Sequence, residues 1–148
     1  MDIFELITND HEKILHIFDQ LEKTRHKASK NKDSLFEKLH NEIEIHATAE
    51  EHTFYPALQL FEQAKDKVIE SLEEHHVVRL LLSELQKLDK SDEHWDAKLT
   101  VLKENIEHHM SEEEGPVFDM AQDFMDEEQL DDIGRQFQKD KKEIKAHI

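Results

Sequence analysis

Histidine and glutamate recur in this sequence at a spacing suited to holding a metal ion. In the segment HATAEEHTFYP, from His46 to Pro56, His46 and Glu50 stand four residues apart inside an apolar, helix-like pattern. Residues four apart project from one face of a helix. If that face turns into a core, an imidazole and a carboxylate are buried together, which is costly unless something satisfies both. A cation does so. The arrangement occurs twice, because His109, Glu113, Glu114 and Phe118 repeat the offsets of His46, Glu50, Glu51 and Tyr55.

The elements that must position these pairs are long helices. With 148 residues, 36% of them hydrophobic, the chain suits one domain with a single core. Only two Gly and two Pro occur, too few for the many turns of a sheet protein. The 36 acidic and 19 basic residues give a formal net charge of -17, which repels a phosphate backbone, so no nucleic-acid partner is expected. No apolar run approaches the ~20 residues that span a bilayer. The start, MDIFELITND, lacks the basic and apolar stretches of a secretory signal. These features predict a cytoplasmic protein with no membrane partner. The absence of Cys excludes disulfides and thiolate metal sites, whereas histidine is in excess, at 12.

A first helix is expected from Ile3 to Lys27, capped by Asp2 and Glu5, with Ile7, Ile14, Phe18 and Leu21 on its seam and His11 filling the one gap. Ala28 to Asp33 reads as a loop, and Ser34 with Glu37 as a capping box for the second helix. The second seam runs Phe36, Leu39, Ile43, His46, Glu50, Thr53, Ala57, Leu60, with Pro56 kinking or ending the helix. A third helix, Lys65 to Leu88, carries Val68, Leu72, His75, Val78, Leu82 and Leu85. His75 is chosen over His76 because turning His76 inward would bring Arg79 to a core position. The fourth begins after Ser91 or Asp92, with Trp95, Leu99, Leu102, Ile106, His109 and Glu113 on one stripe, and Gly115-Pro116 perturbs it where Pro56 perturbs the second. From Asp126 the pattern suggests a shorter, loosely packed fifth helix with Leu130, Ile133 and Phe137 and a solvated, Lys-rich end.

His11 precedes His46 by 35 residues and His75 precedes His109 by 34, so the chain reads as two similar helical hairpins. The expected fold is therefore all-α: an up-down-up-down four-helix bundle over residues 1–125, with a short fifth helix as a C-terminal extension, 126–148. Four inward histidines and two inward glutamates then meet at one level of the core, an arrangement suited to two metal ions with Glu50 and Glu113 as candidate bridges. The bland alternative is a metal-free interaction bundle in which the histidines pair with the glutamates. A ferritin-like Glu-x-x-His reading of Glu37-His40 and Glu73-His76 fails, since both pairs lie off the seams. His16, His26, His40, His52, His76, His94, His108 and His147 read as surface residues.

The segments Asp10-His11, HATAEEHTFYP, EEHHVVRLLLSEL and HHMSEEEGPVF together resemble the hemerythrin-like family, or HHE cation-binding domains, over nearly the whole chain. The resemblance implies a non-haem di-iron centre of two ions cycling between Fe2+ and Fe3+, oxo- or hydroxo-bridged. His11, His46, His75 and His109 would be terminal ligands, and Glu50 and Glu113 bridging carboxylates. Imidazole and carboxylate also suit Zn or Mn. The oxygen carriers of the family have a second histidine four residues along the third helix, where this chain has Arg79. That leaves a seventh position for water, Glu51, Glu74 or His76, or open. The implied function is binding, sensing or detoxifying O2, NO or peroxide, with a separate electron-donor protein as a partner. Iron or zinc storage without turnover is the alternative. The sequence is silent on oligomeric state.

Overall fold

Four helical columns form the up-down-up-down bundle, and a fifth helix lies against them. In the computed structural model, which describes residues 1–27 and 29–148, the helices are α1 (Ile3–Glu22), α2 (Lys30–Ala49), α3 (Tyr55–Gln59), α4 (Lys65–Lys87), α5 (Glu93–Glu112), α6 (Phe118–Phe124) and α7 (Glu127–Ala146). No strand occurs among the described residues, and no helix among them is long and apolar enough to cross a membrane. A π-helical turn, Glu50–Phe54, joins α2 to α3, and a second, Glu113–Val117, joins α5 to α6. α1 packs on α2 and α4 on α5, while α7 runs along α1, α2 and the first π turn.

Helix ends follow from capping chemistry that periodicity does not reveal. Asp2 caps α1 as expected, accepting from the Glu5 amide at 2.9 Å. α1 stops at Glu22, however, rather than at Lys27. The chain turns there, the Thr24 hydroxyl donates to the Leu21 carbonyl, and His26 takes a left-handed φ of 62°, its amide held by Asp96. The expected loop from Ala28 to Asp33 also differs. Ala28 lies outside the described residues, but Ser29 accepts from the Lys32 amide and starts α2 at Lys30, so Ser34 and Glu37 sit within the helix rather than capping it. Asp92 caps α5, and Asp126 and Gln129 form a reciprocal capping box on α7.

α7 has 20 residues, the length of α1, and is closely docked. Leu130, Ile133 and Phe137 are buried, and a Cβ at Gly134 would lie 2.7 Å from the Met1 carbonyl oxygen, so only glycine permits this approach. The core falls into two apolar clusters. One contains Ile7, Phe54, Tyr55, Leu58, Val117 and Phe137, the other Ile14, Phe18, Ile43, Val78, Trp95 and Ile106. Between them lies a layer of buried histidines and carboxylates.

Candidate metal centre

His11, His46, Glu50, His75, His109 and Glu113 are all buried, and the fold brings them into one cluster. α1 and α4 each supply one histidine. Each π turn opens at the glutamate of a His-x-x-x-Glu pair, Glu50 or Glu113. The carboxylates span the two hairpins. Glu50 Oε1 is 3.3 Å from His46 Nε2 and 3.2 Å from His75 Nε2. Glu113 Oε1 is 3.0 Å from His11 Nε2, and its Oε2 is 3.6 Å from His109 Nε2. Donor atoms of His11, His46, Glu50 and Glu113 lie within 4.8 Å of one another, as do those of Glu50, His75 and His109, so Glu50 belongs to both groups.

Hydrogen bonding alone leaves this layer unfinished. His46 Nε2 and Glu50 Oε2 are buried with no hydrogen-bond partner among the described residues. The Nε2 atoms of His75 and His109 face each other at 3.2 Å, where they share one proton at most. Each unsatisfied buried polar atom costs about 1–3 kcal/mol. A cation among these nitrogens and oxygens satisfies all of them, and the mixed imidazole and carboxylate donors suit a first-row divalent metal.

The other ring nitrogens are held from outside. His11 Nδ1 lies 2.8 Å from Glu114, His46 Nδ1 2.8 Å from Asp10, His75 Nδ1 2.7 Å from Glu51, and His109 Nδ1 2.7 Å from Glu74. An ionised carboxylate only accepts, so each Nδ1 carries the proton and each Nε2 presents its lone pair or second proton to the cluster. The pattern repeats between hairpins: the acid preceding the first histidine of a hairpin, His11 or His75, holds the second, His46 or His109, and the acid following each inner glutamate holds a histidine of the opposite hairpin. Two of these carboxylates are anchored further. Asp10 accepts from Lys141 Nζ at 2.5 Å, and Glu51 from Arg79 at 2.7 Å. The Lys-rich end of α7 is thus not wholly solvated, since Lys141 is half-buried against the centre.

Electrostatics divide the layer into charged pairs. Burial opposes an imidazolium at His46, but the nearby Glu50 charge and the hydrogen bond with Asp10 push it up to about 10. The same opposition, overcome by Glu50 and Glu51, raises His75 to about 9. His11 is also raised, burial being outweighed by Glu113 and Glu50. Burial alone would raise the Glu50 carboxyl, yet His46 and the hydrogen bonds around it hold it well below the usual carboxylate range. Burial likewise yields at Glu51, where His75 and Arg79 lower it to about 2.

Tyr55 breaks the repeat. Its hydroxyl donates to Glu113 Oε2 at 2.5 Å and lies 3.4 Å from Nε2 of both His75 and His109. Burial, with Glu113 and Glu50 beside it, pushes this phenol well above its ordinary value. Phe118, at the matching offset, has no hydroxyl. Of the groups considered from sequence for a seventh position, Glu51 and Glu74 hold the outer ring nitrogens and His76 is exposed. The group that enters the cluster is Tyr55. The signal for it was present in the sequence as the chain's one tyrosine standing opposite a phenylalanine in the repeat. Sequence reasoning also missed the roles of Asp10, read only as the start of the site, of Lys141, read as solvated, and of Glu51, Glu74 and Glu114 in holding the outer ring nitrogens.

On the histidine side of the cluster is a cavity of about 30 Å³, walled by the four histidines and by Ile14, Ile43, Val78, Ile106 and Met110, with Arg79 at its edge. Ile14, Ile43 and Ile106, the seam neighbours of the histidines, line it. Ile7, Phe54, Leu72 and Phe118 pack instead with the opposite core cluster. Glu37, Glu73 and His76 are exposed and His40 is half-buried beside Phe36, apart from the cluster. His16, His26, His52, His94, His108 and His147 are exposed as expected.

The profile of the hemerythrin HHE cation-binding domain matches residues 2–121, and the chain belongs to that family. Among solved structures, the fold matches the crystal structure of a hemerythrin HHE cation-binding domain-containing protein from Mycobacterium kansasii. The match has a TM-score of 0.86 and 21% identity, and covers 99% of this chain and 89% of that one. No curated protein matches the sequence.

Proposed function

We propose that this chain is a non-haem di-iron protein that binds, senses or detoxifies a small diatomic or peroxide (O2, NO or H2O2). The observation that carries the reading is the pair of overlapping His/Glu groups joined by Glu50 and opening onto a cavity of about 30 Å³. That volume admits one or two water-sized molecules and no organic substrate. In this reading His11, His46, Glu50 and Glu113 would hold one ion and His75, His109 and the glutamates the other, with the Tyr55 hydroxyl beside them as a hydrogen-bond donor. Bound iron supplies reversible one-electron chemistry and a coordination site for the small ligand.

The protein's own groups perform the remaining tasks. Asp10, Glu51, Glu74 and Glu114 fix the imidazoles and make them better donors. Ile14, Ile43, Val78 and Ile106 favour an uncharged diatomic over bulk water and anions. The Tyr55 hydroxyl can donate a hydrogen bond to an oxygen within the cluster. A separate electron-donor protein would return the centre to its reduced state. The second reading, iron or zinc storage without turnover, draws on the nearness of Tyr55, which completes the donor set.

An anaerobic Fe(II) titration of the apoprotein, with bound metal counted and the optical spectrum recorded before and after O2, NO or H2O2, tests both. About two irons per chain and new charge-transfer bands are expected. Two irons with no response to any of the three would leave storage. No stoichiometric iron would defeat the reading.

A further inference from the structure

The chain carries a second cavity, outside the histidine layer and of opposite character. It has a volume of about 300 Å³ and lies between α7 and the α1–α2 hairpin, ringed by Lys13, Lys141, Lys142 and Lys145. Its floor is apolar, made by Leu6, Ile45 and Phe137, and Glu42 is the one acid among its lining residues. Four lysines against one glutamate reverse the composition of a protein with a net charge of -17. Lys141 is paired with Asp10, whereas Lys13, Lys142 and Lys145 are exposed and make no ion pair among the described residues. Lysines near a helix C-terminus can serve the helix dipole alone, but that does not account for Lys13, which comes from α1 and faces the same space.

We propose that this cleft binds a small organic anion carrying two or more negative charges, as carboxylates or phosphates. The lysines would neutralise the charges, and Phe137, Leu6 and Ile45 would pack against the carbon skeleton. A volume of 300 Å³ is at the lower end for small-molecule sites and suits a compact ligand. The site communicates with the histidine layer by contact. Lys141 joins cleft to Asp10 at 2.5 Å, and Asp10 joins His46 at 2.8 Å. An anion that draws Lys141 toward itself weakens its bond to Asp10 and changes the hold of Asp10 on His46. Occupancy of the cleft is thereby sensed at the cluster. The inference does not depend on iron.

The test uses the full chain, metal-free and metal-loaded, titrated by calorimetry with citrate, with ATP and with inorganic phosphate at fixed ionic strength. Saturable one-to-one binding of citrate or ATP is expected, at least 10-fold tighter than inorganic phosphate. Preference for citrate identifies the carboxylate class and preference for ATP the phosphate class. K142E/K145E, which leaves the Asp10 contact in place, should weaken binding at least 10-fold while retaining the fold by circular dichroism. In the metal-free protein the His46 ring nitrogen resonances should shift on ligand addition, and should not do so in K142E/K145E. Absence of saturable binding, binding unchanged in K142E/K145E, or equal response to inorganic phosphate would overturn the proposal. Iron loading that fails while citrate or ATP still binds would count against the di-iron reading alone.

Discussion

Loading the cluster with metal should expel protons, and the number can be worked from the geometry. His46 is raised to about 10 and His75 to about 9, so at pH 7.5 both rings carry two protons in the metal-free protein. Asp10 and Glu51 accept from the Nδ1 atoms and keep those protons there. The proton that a metal must displace is therefore the one on Nε2, which faces Glu50. His46 and His75 each lose one, and His11, raised by Glu113, contributes part or all of a third. We expect about two to three protons released per chain on saturation with Zn(II) or anaerobic Fe(II). The overall two-ion binding constant should then rise by roughly 100- to 1,000-fold per pH unit across the neutral range, flattening only as pH passes the raised histidine values. Proton counting with an indicator dye in weak buffer, at pH 6.5, 7.0 and 7.5, measures this directly. Release of fewer than one proton at pH 7, with binding independent of pH, would refute the assignment of these imidazoles as protonated partners of Glu50 and Glu51.

Three further outcomes are expected. Because His46 is raised from 6.5 to about 10 on folding, its contribution to metal-free stability is complete below about pH 6.5 and lost as pH rises through 10. Denaturant melts of the apoprotein should weaken over that window, by at most about 1.4 kcal/mol per pH unit for each such group. Tyr55→Phe removes a charge-assisted hydrogen bond to Glu113 and should cost the apoprotein about 1.5–3 kcal/mol in urea melts; an unchanged midpoint would mean that this contact contributes nothing. Gly134→Ala forces Met1 and Asp2 away from α7 and should destabilise by roughly 1–3 kcal/mol, with hydrogen exchange rising first in α7.

Most of the bundle was legible because four seams of 3.5–3.6 periodicity run through the chain, and the polar residues on them, His11, His46, Glu50, His75, His109 and Glu113, stood out against their apolar neighbours. What was hidden lay where periodicity is silent. Helix ends depend on single side chains, so Ser29 rather than Ser34 starts α2. Beyond Glu50 the extrapolated seam named Thr53, Ala57 and Leu60; Thr53, inside the π turn, is buried, but Leu60 is 84% exposed while Phe54, Tyr55 and Leu58 are buried. The π turn adds one residue to the coil, so every inward position after it moves one place along the chain. Tyr55 reaches the cluster for this reason. Lys141 was unreadable for a different one: its partner Asp10 is 131 residues away, and no local pattern links them.

The π turns also make two places in the chain unusually sensitive to helical register. The Tyr55 amide bonds to the Glu50 carbonyl, and the Phe118 amide to that of Glu113, each five residues back rather than four. Closing the first turn into an ordinary α-helix without the loss of a residue would swing every later side chain by about 100°. No ligand-type residue need be lost. The tyrosine hydroxyl would nonetheless leave the cluster, Phe54 would take its place, and Leu58 would turn out of the core. The second column depends in the same way on the turn between Glu113 and Phe118, so every ligand-type residue can be kept while the centre is dismantled.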